Sequence, residues 1–133
     1  MAKLQLKTVT PKKYVIYSPL KSIKYAISGI KLAFAREKNL SIQAGLILMI
    51  SFANILFELP NYWIVINLFA GFQVLAFELL NTAFETLCDV VDGKFNYEIK
   101  AVKDIAAGAV LVFSFLWLML IIYQVYLVVG QIF

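Results

Sequence analysis

The chain has 133 residues, of which 62% are hydrophobic and 15% are charged, against about 25% charged residues in an ordinary soluble domain. This composition excludes a typical water-soluble protein, and the length allows one domain at most. Nine of the twelve lysines and arginines lie within the first 38 residues, whereas seven of the eight acidic residues follow them. Histidine is absent and Cys88 is the single cysteine, so any chemistry must rest on carboxylates, amides, hydroxyls or amines.

The basic N-terminal part divides into two segments. Residues 1–19 are predicted to be a loose polar lead, and residues 20–38 place apolar side chains at helical spacing beside lysines. This second pattern predicts an amphipathic helix that lies on the membrane surface. The alternative is that the segment serves only as a basic anchor for the membrane span that follows it.

Three charge-free runs are long enough to cross a bilayer, which takes about 20 apolar residues in a helix. We predict spans at about 39–57, 62–92 and 104–130, with a turn at 58–62 that makes the first two spans a helical hairpin. The predicted fold class is therefore an all-α membrane protein, with one domain over residues 20–133.

The loops between the spans differ in basic residues. Lysines and arginines precede the first span and lie between the second and third, but none lies in the 58–62 turn or after the third span. The positive-inside rule then predicts a multi-pass protein whose N-terminus is cytoplasmic. No cleavable signal peptide is recognisable, so all three spans are expected in the mature protein.

The second span carries a polar stripe where it continues beyond its charge-free part. At 100° per residue Glu78, Asn81, Glu85 and Asp89 fall along one side of the helix. Neither Glu78 nor Glu85 has a lysine or arginine three or four residues away, and the same holds for Glu37. A solvated helix face would supply such partners, whereas an acidic residue beside a membrane span is functional by default. We expect a divalent metal or lysines from elsewhere in the chain to neutralise these carboxylates.

The polar stripe leaves several classes of function open. A small homo-oligomeric transporter or channel would use an acidic residue near the middle of a span, but Glu78 lies at the edge of its span and no charge follows Asp104. A membrane scaffold without enzymatic activity would not require unpaired acidic residues. No nucleic-acid partner is expected.

A longer motif narrows the range of possible functions. The segment Glu78-Leu79-Leu80-Asn81-Thr82-Ala83-Phe84-Glu85, followed by Asp89 and by Lys103-Asp104 with Ala106-Ala107-Gly108-Ala109, resembles the signature of the bacterial integral-membrane diacylglycerol kinase family, which includes undecaprenol kinases. Tyr25, Gly29 and Glu37-Lys38-Asn39 fall in register with it, and the resemblance covers about residues 20–130.

The resemblance implies an activity and an assembly. The expected reaction is transfer of the γ-phosphate of ATP to the hydroxyl of a membrane lipid alcohol, either diacylglycerol or undecaprenol. The expected assembly is a homotrimer in the bacterial inner membrane, with active sites at subunit boundaries on the cytoplasmic side. No Walker-type phosphate loop is present in the sequence, so a P-loop kinase is excluded.

The resemblance also implies roles for individual residues. Glu78 matches the general base, and Glu37 and Glu85 match the ligands of Mg²⁺. The expected nucleotide-binding residues are Tyr25, Glu37, Glu85, Asp89, Lys103 and Asp104, and the expected substrate-binding residues are Glu78 and Asn81.

The sequence departs from the family pattern in two places. Gln43 stands where many members carry His or Glu, and Lys94-Phe95-Asn96 stands where many read Glu-Tyr-His. The roles of these positions stay open, and no residue decides between diacylglycerol and undecaprenol.

Overall fold

The computed structural model describes residues 18–91 and 96–132, which form four α-helices. In chain order these are α1 Pro19–Arg36, α2 Lys38–Leu56, α3 Asn61–Val91 and α4 Tyr97–Ile132. The predicted all-α fold is confirmed, and α2, α3 and α4 are each long and apolar enough to cross a membrane. Most of the predicted polar lead, and Lys94-Phe95 of the loop before the third span, lie outside the described residues.

Helix α1 has the features of a surface helix. It starts with Pro19 at its first position, where the fixed φ of proline suits a helix and its missing N–H costs nothing. Ile23, Ile27 and Ile30 are exposed, and Ala33 is its one buried residue. An exposed apolar stripe on a lysine-bearing helix is what a helix lying in a membrane interface presents.

A single extended residue separates α1 from α2. Glu37 has φ −113° and ψ 114°, and its N–H closes α1 by donating to the carbonyl of Ala33 at 2.9 Å. Sequence periodicity predicts a helix through residue 38, but the chain has to leave the direction of α1 before it enters α2. Glu37 is therefore a junction residue rather than part of a helical face.

The connection between α2 and α3 is a tight helix ending. Glu58 adopts a left-handed φ of 52°, its N–H donates to the carbonyl of Ile55 and that of Leu59 donates to the carbonyl of Asn54. This is the Schellman pattern, in which one left-handed residue lets the last carbonyls of a helix find donors. Pro60 then precedes α3, and α2 and α3 form a helical hairpin.

Helix α4 starts earlier than the third apolar run. It begins at Tyr97, so Lys100, Lys103 and Asp104 lie within its first turns rather than in a loop. Asn96 explains this start, because its side-chain oxygen accepts the N–H of Glu98 at 2.9 Å, as an N-cap residue does. Hydropathy locates the apolar part of the helix and overlooks the polar turns before it.

Helix α3 is the centre of the bundle and packs against both α2 and α4. Ile47 of α2, Val74 of α3 and Trp117 of α4 form the buried core cluster. Gly71 permits this approach, because a Cβ atom there would stand 2.5 Å from Cγ1 of Ile47 and 3.1 Å from Cζ2 of Trp117. The three predicted spans thus meet at one glycine of the middle helix.

Four polar side chains connect the same three helices. We call Asn54, Asn67, Trp117 and Gln124 the amide network. The side-chain N–H of Asn67 donates to Gln124 at 2.6 Å, and that of Gln124 donates to Asn54 at 3.2 Å. Nε1 of Trp117 donates to Oδ1 of Asn67 at 3.3 Å. All four side chains are at most 5% exposed, so each polar group depends on its partners.

Replacing Gly71 with alanine is expected to destabilise the protein by about 1–3 kcal/mol, because the new methyl group overpacks the core. Gly45→Ala is the matched control, since a Cβ at Gly45 meets no other atom within 4 Å. The measurement is the free energy of unfolding in detergent micelles. Equal stability of the two variants would show that Gly71 does not limit helix approach.

Asn67→Leu is expected to cost about 1–3 kcal/mol, because it leaves Gln124 and Trp117 with unpaired polar atoms. The double variant Asn67→Leu/Gln124→Leu should cost less than the sum of the two single variants, since the direct hydrogen bond is lost only once. Unfolding of all three variants measures this coupling. Strict additivity would contradict the network.

Candidate functional site

A polar cavity lies between the α1–α2 junction and the C-terminal half of α3. Its volume is ≈ 460 Å³. It is lined by Arg36, Glu37, Thr82, Glu85, Thr86, Asp89 and Val90. Three acidic residues that the sequence analysis predicts as site residues, Glu37, Glu85 and Asp89, therefore share one cavity.

Helical spacing puts the α3 residues of this cavity on one face. Thr82 and Thr86 follow Glu78 at intervals of four residues, which brings them to the same side of the helix. The Thr82 hydroxyl donates to the carbonyl of Glu78 at 2.9 Å, and the Thr86 hydroxyl donates to the carbonyl of Thr82 at 2.8 Å. Both hydroxyl hydrogens are thus used within the helix, and the oxygens can accept bonds from the cavity.

Glu78 lies one turn further into the bundle. It is 5% exposed, and no hydrogen bond or ion pair to its carboxylate occurs within residues 18–91 and 96–132. It does not line the polar cavity, although Thr82, one turn along the helix, does. A carboxylate that has no cation or donor beside it in the described ranges keeps its oxygens available to accept a hydrogen bond from a ligand.

Asn81 holds Glu85 by a hydrogen bond within α3. Its Nδ2 donates to Oε1 of Glu85 at 3.0 Å. Its own Oδ1 is buried without a hydrogen-bond donor in the described part of the chain, as is Oε1 of Gln43. Buried acceptors without a donor are uncommon in native structures.

Two ion pairs involve the first turns of α4, one to Asp89 of α3 and one within α4 itself. Lys103 donates to Asp89 at 2.6 Å, and Lys100 pairs with Asp104 at 2.7 Å. The first pair provides Asp89 with a counter-ion from a distant part of the chain. Asp104 and Tyr25 do not line the polar cavity.

The acidic residues of the polar cavity suit one kind of metal. No group of three or more His, Cys, Asp or Glu side chains arranged to hold an ion occurs in the described ranges. Mg²⁺ does not need one, because it is commonly held by one or two carboxylates together with phosphate oxygens and water. Glu37 and Glu85 fit that donor set.

A second, apolar cavity adjoins the first. We call this cavity of ≈ 600 Å³ between α1 and α3 the apolar groove. Its apolar wall includes Ala26, Gly29, Ile30 and Ala33 of α1 and Leu79, Ala83 and Leu87 of α3. Arg36, Thr82, Thr86 and Val90 line both cavities, so the two share a wall. A smaller apolar cavity of ≈ 320 Å³ lies between α3 and α4 beside Asn81.

Three residues of this region are not among the site residues predicted from the sequence, namely Arg36, Thr82 and Thr86. Nη1 of Arg36 donates to Oγ1 of Thr86 at 3.2 Å across 50 residues of chain. The two threonines could have been found, since their spacing places them beside Glu78. For Arg36, the only sequence signal was its position next to the predicted site residue Glu37.

Comparisons with known proteins agree with the motif. A family model described as prokaryotic diacylglycerol kinase matches residues 24–125, which include every predicted site residue. A protein named diacylglycerol kinase from Synechocystis sp. is 36% identical over 93 residues, covering 69% of this chain and 53% of its own length. A protein named undecaprenol kinase from Bacillus subtilis is 37% identical over 95 residues, covering 71% of this chain and 76% of its own length. The chain spans about half the length of the first of these relatives.

Proposed function

Because the chain belongs to the prokaryotic diacylglycerol kinase family, we propose that it is an ATP-dependent kinase acting on a membrane lipid alcohol, diacylglycerol or undecaprenol. One observation carries the proposal beyond the family name. The acidic polar cavity shares a wall with the apolar groove, so a water-soluble nucleotide and a lipid can be bound side by side.

Glu78 is the proposed general base. Its buried carboxylate has no competing partner in the described part of the chain, and it lies one helical turn from the wall that both cavities share. In the reaction the lipid hydroxyl oxygen forms a bond to the γ-phosphorus while the bond from that phosphorus to the β–γ bridging oxygen breaks. ADP leaves, and the hydroxyl proton passes to Glu78.

Glu37 and Glu85 are the proposed ligands of Mg²⁺. Both line the polar cavity from different elements, Glu37 from the α1–α2 junction and Glu85 from α3. Asn81 supports this role by holding Glu85 through its Nδ2. When bound, Mg²⁺ would neutralise negative charge on the phosphate oxygens and favour in-line geometry.

The remaining predicted residues are proposed nucleotide contacts, some supported by their position at the polar cavity and others by the motif. Asp89 lines the polar cavity, and its ion pair brings Lys103 to the cavity edge, where an ammonium group can face phosphate. Tyr25 and Asp104 are proposed from the motif alone. Asn81 is proposed as a substrate contact from the motif alone, since it borders the smaller cavity between α3 and α4 and not the apolar groove.

The proposed setting is the bacterial inner membrane, with the N-terminus and the active site on the cytoplasmic side and three chains in a homotrimer. Helix α4 leaves room for such an assembly, because Trp117 and Gln124 are its only buried residues over 97–130. A neighbouring chain or lipid must cover the rest of this apolar helix.

The direct test is a labelled-ATP assay with purified protein in mixed micelles that contain either diacylglycerol or undecaprenol. Phosphorylation of one lipid supports the proposal and identifies the substrate. Folded protein that phosphorylates neither would overturn it in favour of a transporter or scaffold.

Glu78→Gln is expected to reduce kcat by about 10²–10⁴-fold, because the amide cannot accept the hydroxyl proton. Glu98→Gln is the matched control, since Glu98 is exposed on the first turn of α4 and lines none of the three cavities. Initial rates in the same micelle assay provide the comparison. A Glu78→Gln rate near that of the parent protein rules out the base assignment.

Asn81→Ala is expected to raise the Mg²⁺ concentration for half-maximal rate by about 10-fold, the usual cost of removing a group that orients a metal ligand. Glu85→Gln and Glu37→Gln should raise it further, because each removes a ligand charge. Magnesium titrations at saturating lipid measure the shift, again with Glu98→Gln as control. Unchanged midpoints in both glutamate variants would contradict the proposed metal site.

A further inference from the structure

Arg36 lies where the polar cavity meets the apolar groove. It is the last residue of α1 and lines both cavities. Glu37, Glu85 and Asp89 line only the polar cavity, so Arg36 is the one charged residue among the described residues that also borders the apolar groove. A molecule whose tail occupies the groove therefore meets a cation at its polar end, and not a carboxylate.

The guanidinium of Arg36 is held in place without being neutralised. It makes no ion pair with the three carboxylates of the polar cavity in the described chain, and its one hydrogen bond goes to the neutral Oγ1 of Thr86. Thr86 already donates its hydroxyl hydrogen to the carbonyl of Thr82, so it acts toward Arg36 purely as an acceptor. A guanidinium has five N–H donors, and most of the fork thus stays available to an anion.

The chemistry that matches this arrangement is a phosphate group on a lipid. Arginine binds phosphate through two parallel charge-assisted hydrogen bonds, a geometry that a lysine ammonium cannot reproduce. A neutral lipid alcohol offers Arg36 no anion, but its phosphorylated product does. The phosphates of a nucleotide would instead lie toward the Mg²⁺ that Glu37 and Glu85 would hold in the proposed function.

We infer that Arg36, positioned by Thr86, binds the phosphate of the lipid phosphate monoester while the lipid tail occupies the apolar groove. This assignment rests on the proposed kinase function, because the monoester is the product of that reaction. It makes Arg36 a residue that retains product and that distinguishes a phosphorylated lipid from its alcohol.

The test measures binding by the full-length protein in micelles without nucleotide. The probes are dioctanoyl phosphatidate, which has both tail and phosphate, dioctanoylglycerol, which has the tail alone, and inorganic phosphate. The variants are Arg36→Gln, which removes the charge, and Arg36→Lys, which keeps the charge at the end of α1 but not the fork. Lys31→Gln is the control, because Lys31 is an exposed cation of the same helix that lines neither cavity.

We expect the parent protein to bind dioctanoyl phosphatidate more tightly than either other probe. Arg36→Gln should raise the Kd for phosphatidate about 10-fold or more, Arg36→Lys should recover only part of that loss, and Lys31→Gln should resemble the parent. The Kd for dioctanoylglycerol and the KM for ATP should stay unchanged in all variants.

Three results would overturn the inference. They are unchanged phosphatidate binding in Arg36→Gln, an equal loss in Lys31→Gln, and a raised KM for ATP with phosphatidate binding intact, which would move Arg36 to the nucleotide. Because binding is measured without turnover, these results are separate from the failure of the parent protein to phosphorylate any lipid, which would overturn the kinase proposal.

Discussion

The pairing of polar groups inside an apolar bundle is the constraint on which the rest of the structure depends. In the hydrocarbon region an unpaired amide cannot form a hydrogen bond to water. The amide network can therefore form only when its members on α2, α3 and α4 lie at the same depth in the bundle. Gly71 lets the helices come close enough for this, and the bonds then fix their relative register. A slip of one residue would displace a helix by about 1.5 Å and separate the partners.

The amide network fixes the positions of α2, α3 and α4 along one another. Because helices are stiff, this also affects the candidate site at the other end of α3. Asn67 and Glu85 are separated by five helical turns of α3, about 27 Å along its axis. The amide network and the polar cavity thus lie at opposite ends of α3, so the position of α3 that the network fixes is carried along the helix to the cavity. The exposed ion pair between Asp89 and Lys103 is a second contact between α3 and α4, near the site.

Much of the fold could be read from the sequence, because long apolar runs and a turn between two of them are local properties. The junction at Glu37 and the early start of α4 at Tyr97 could not, since each depends on how a helix ends or is capped. Hydropathy averages over such single-residue events. It detects an apolar segment long enough to cross a membrane, but it does not detect a polar turn that extends the helix beyond that segment.

The candidate site was predictable to the extent that it lies on one helix. The stripe of Glu78, Asn81 and Glu85 follows from helical spacing, and its lack of nearby cations is visible in the sequence. The bond between Arg36 and Thr86 joins residues 50 positions apart, and no pattern in either segment indicates it. The shared wall of the two cavities is likewise a tertiary property, and it emerges only when α1 lies against α3.

The apolar groove between α1 and α3 has a consequence for how rates must be expressed. A lipid that occupies it arrives by lateral diffusion in the bilayer, so its availability is set by its mole fraction among the other lipids. The proposed nucleotide would reach the adjoining polar cavity from water, where molar concentration applies. The two proposed substrates would therefore be counted on different scales, and diluting the membrane with inert lipid would lower the occupancy of the groove without changing that of the polar cavity.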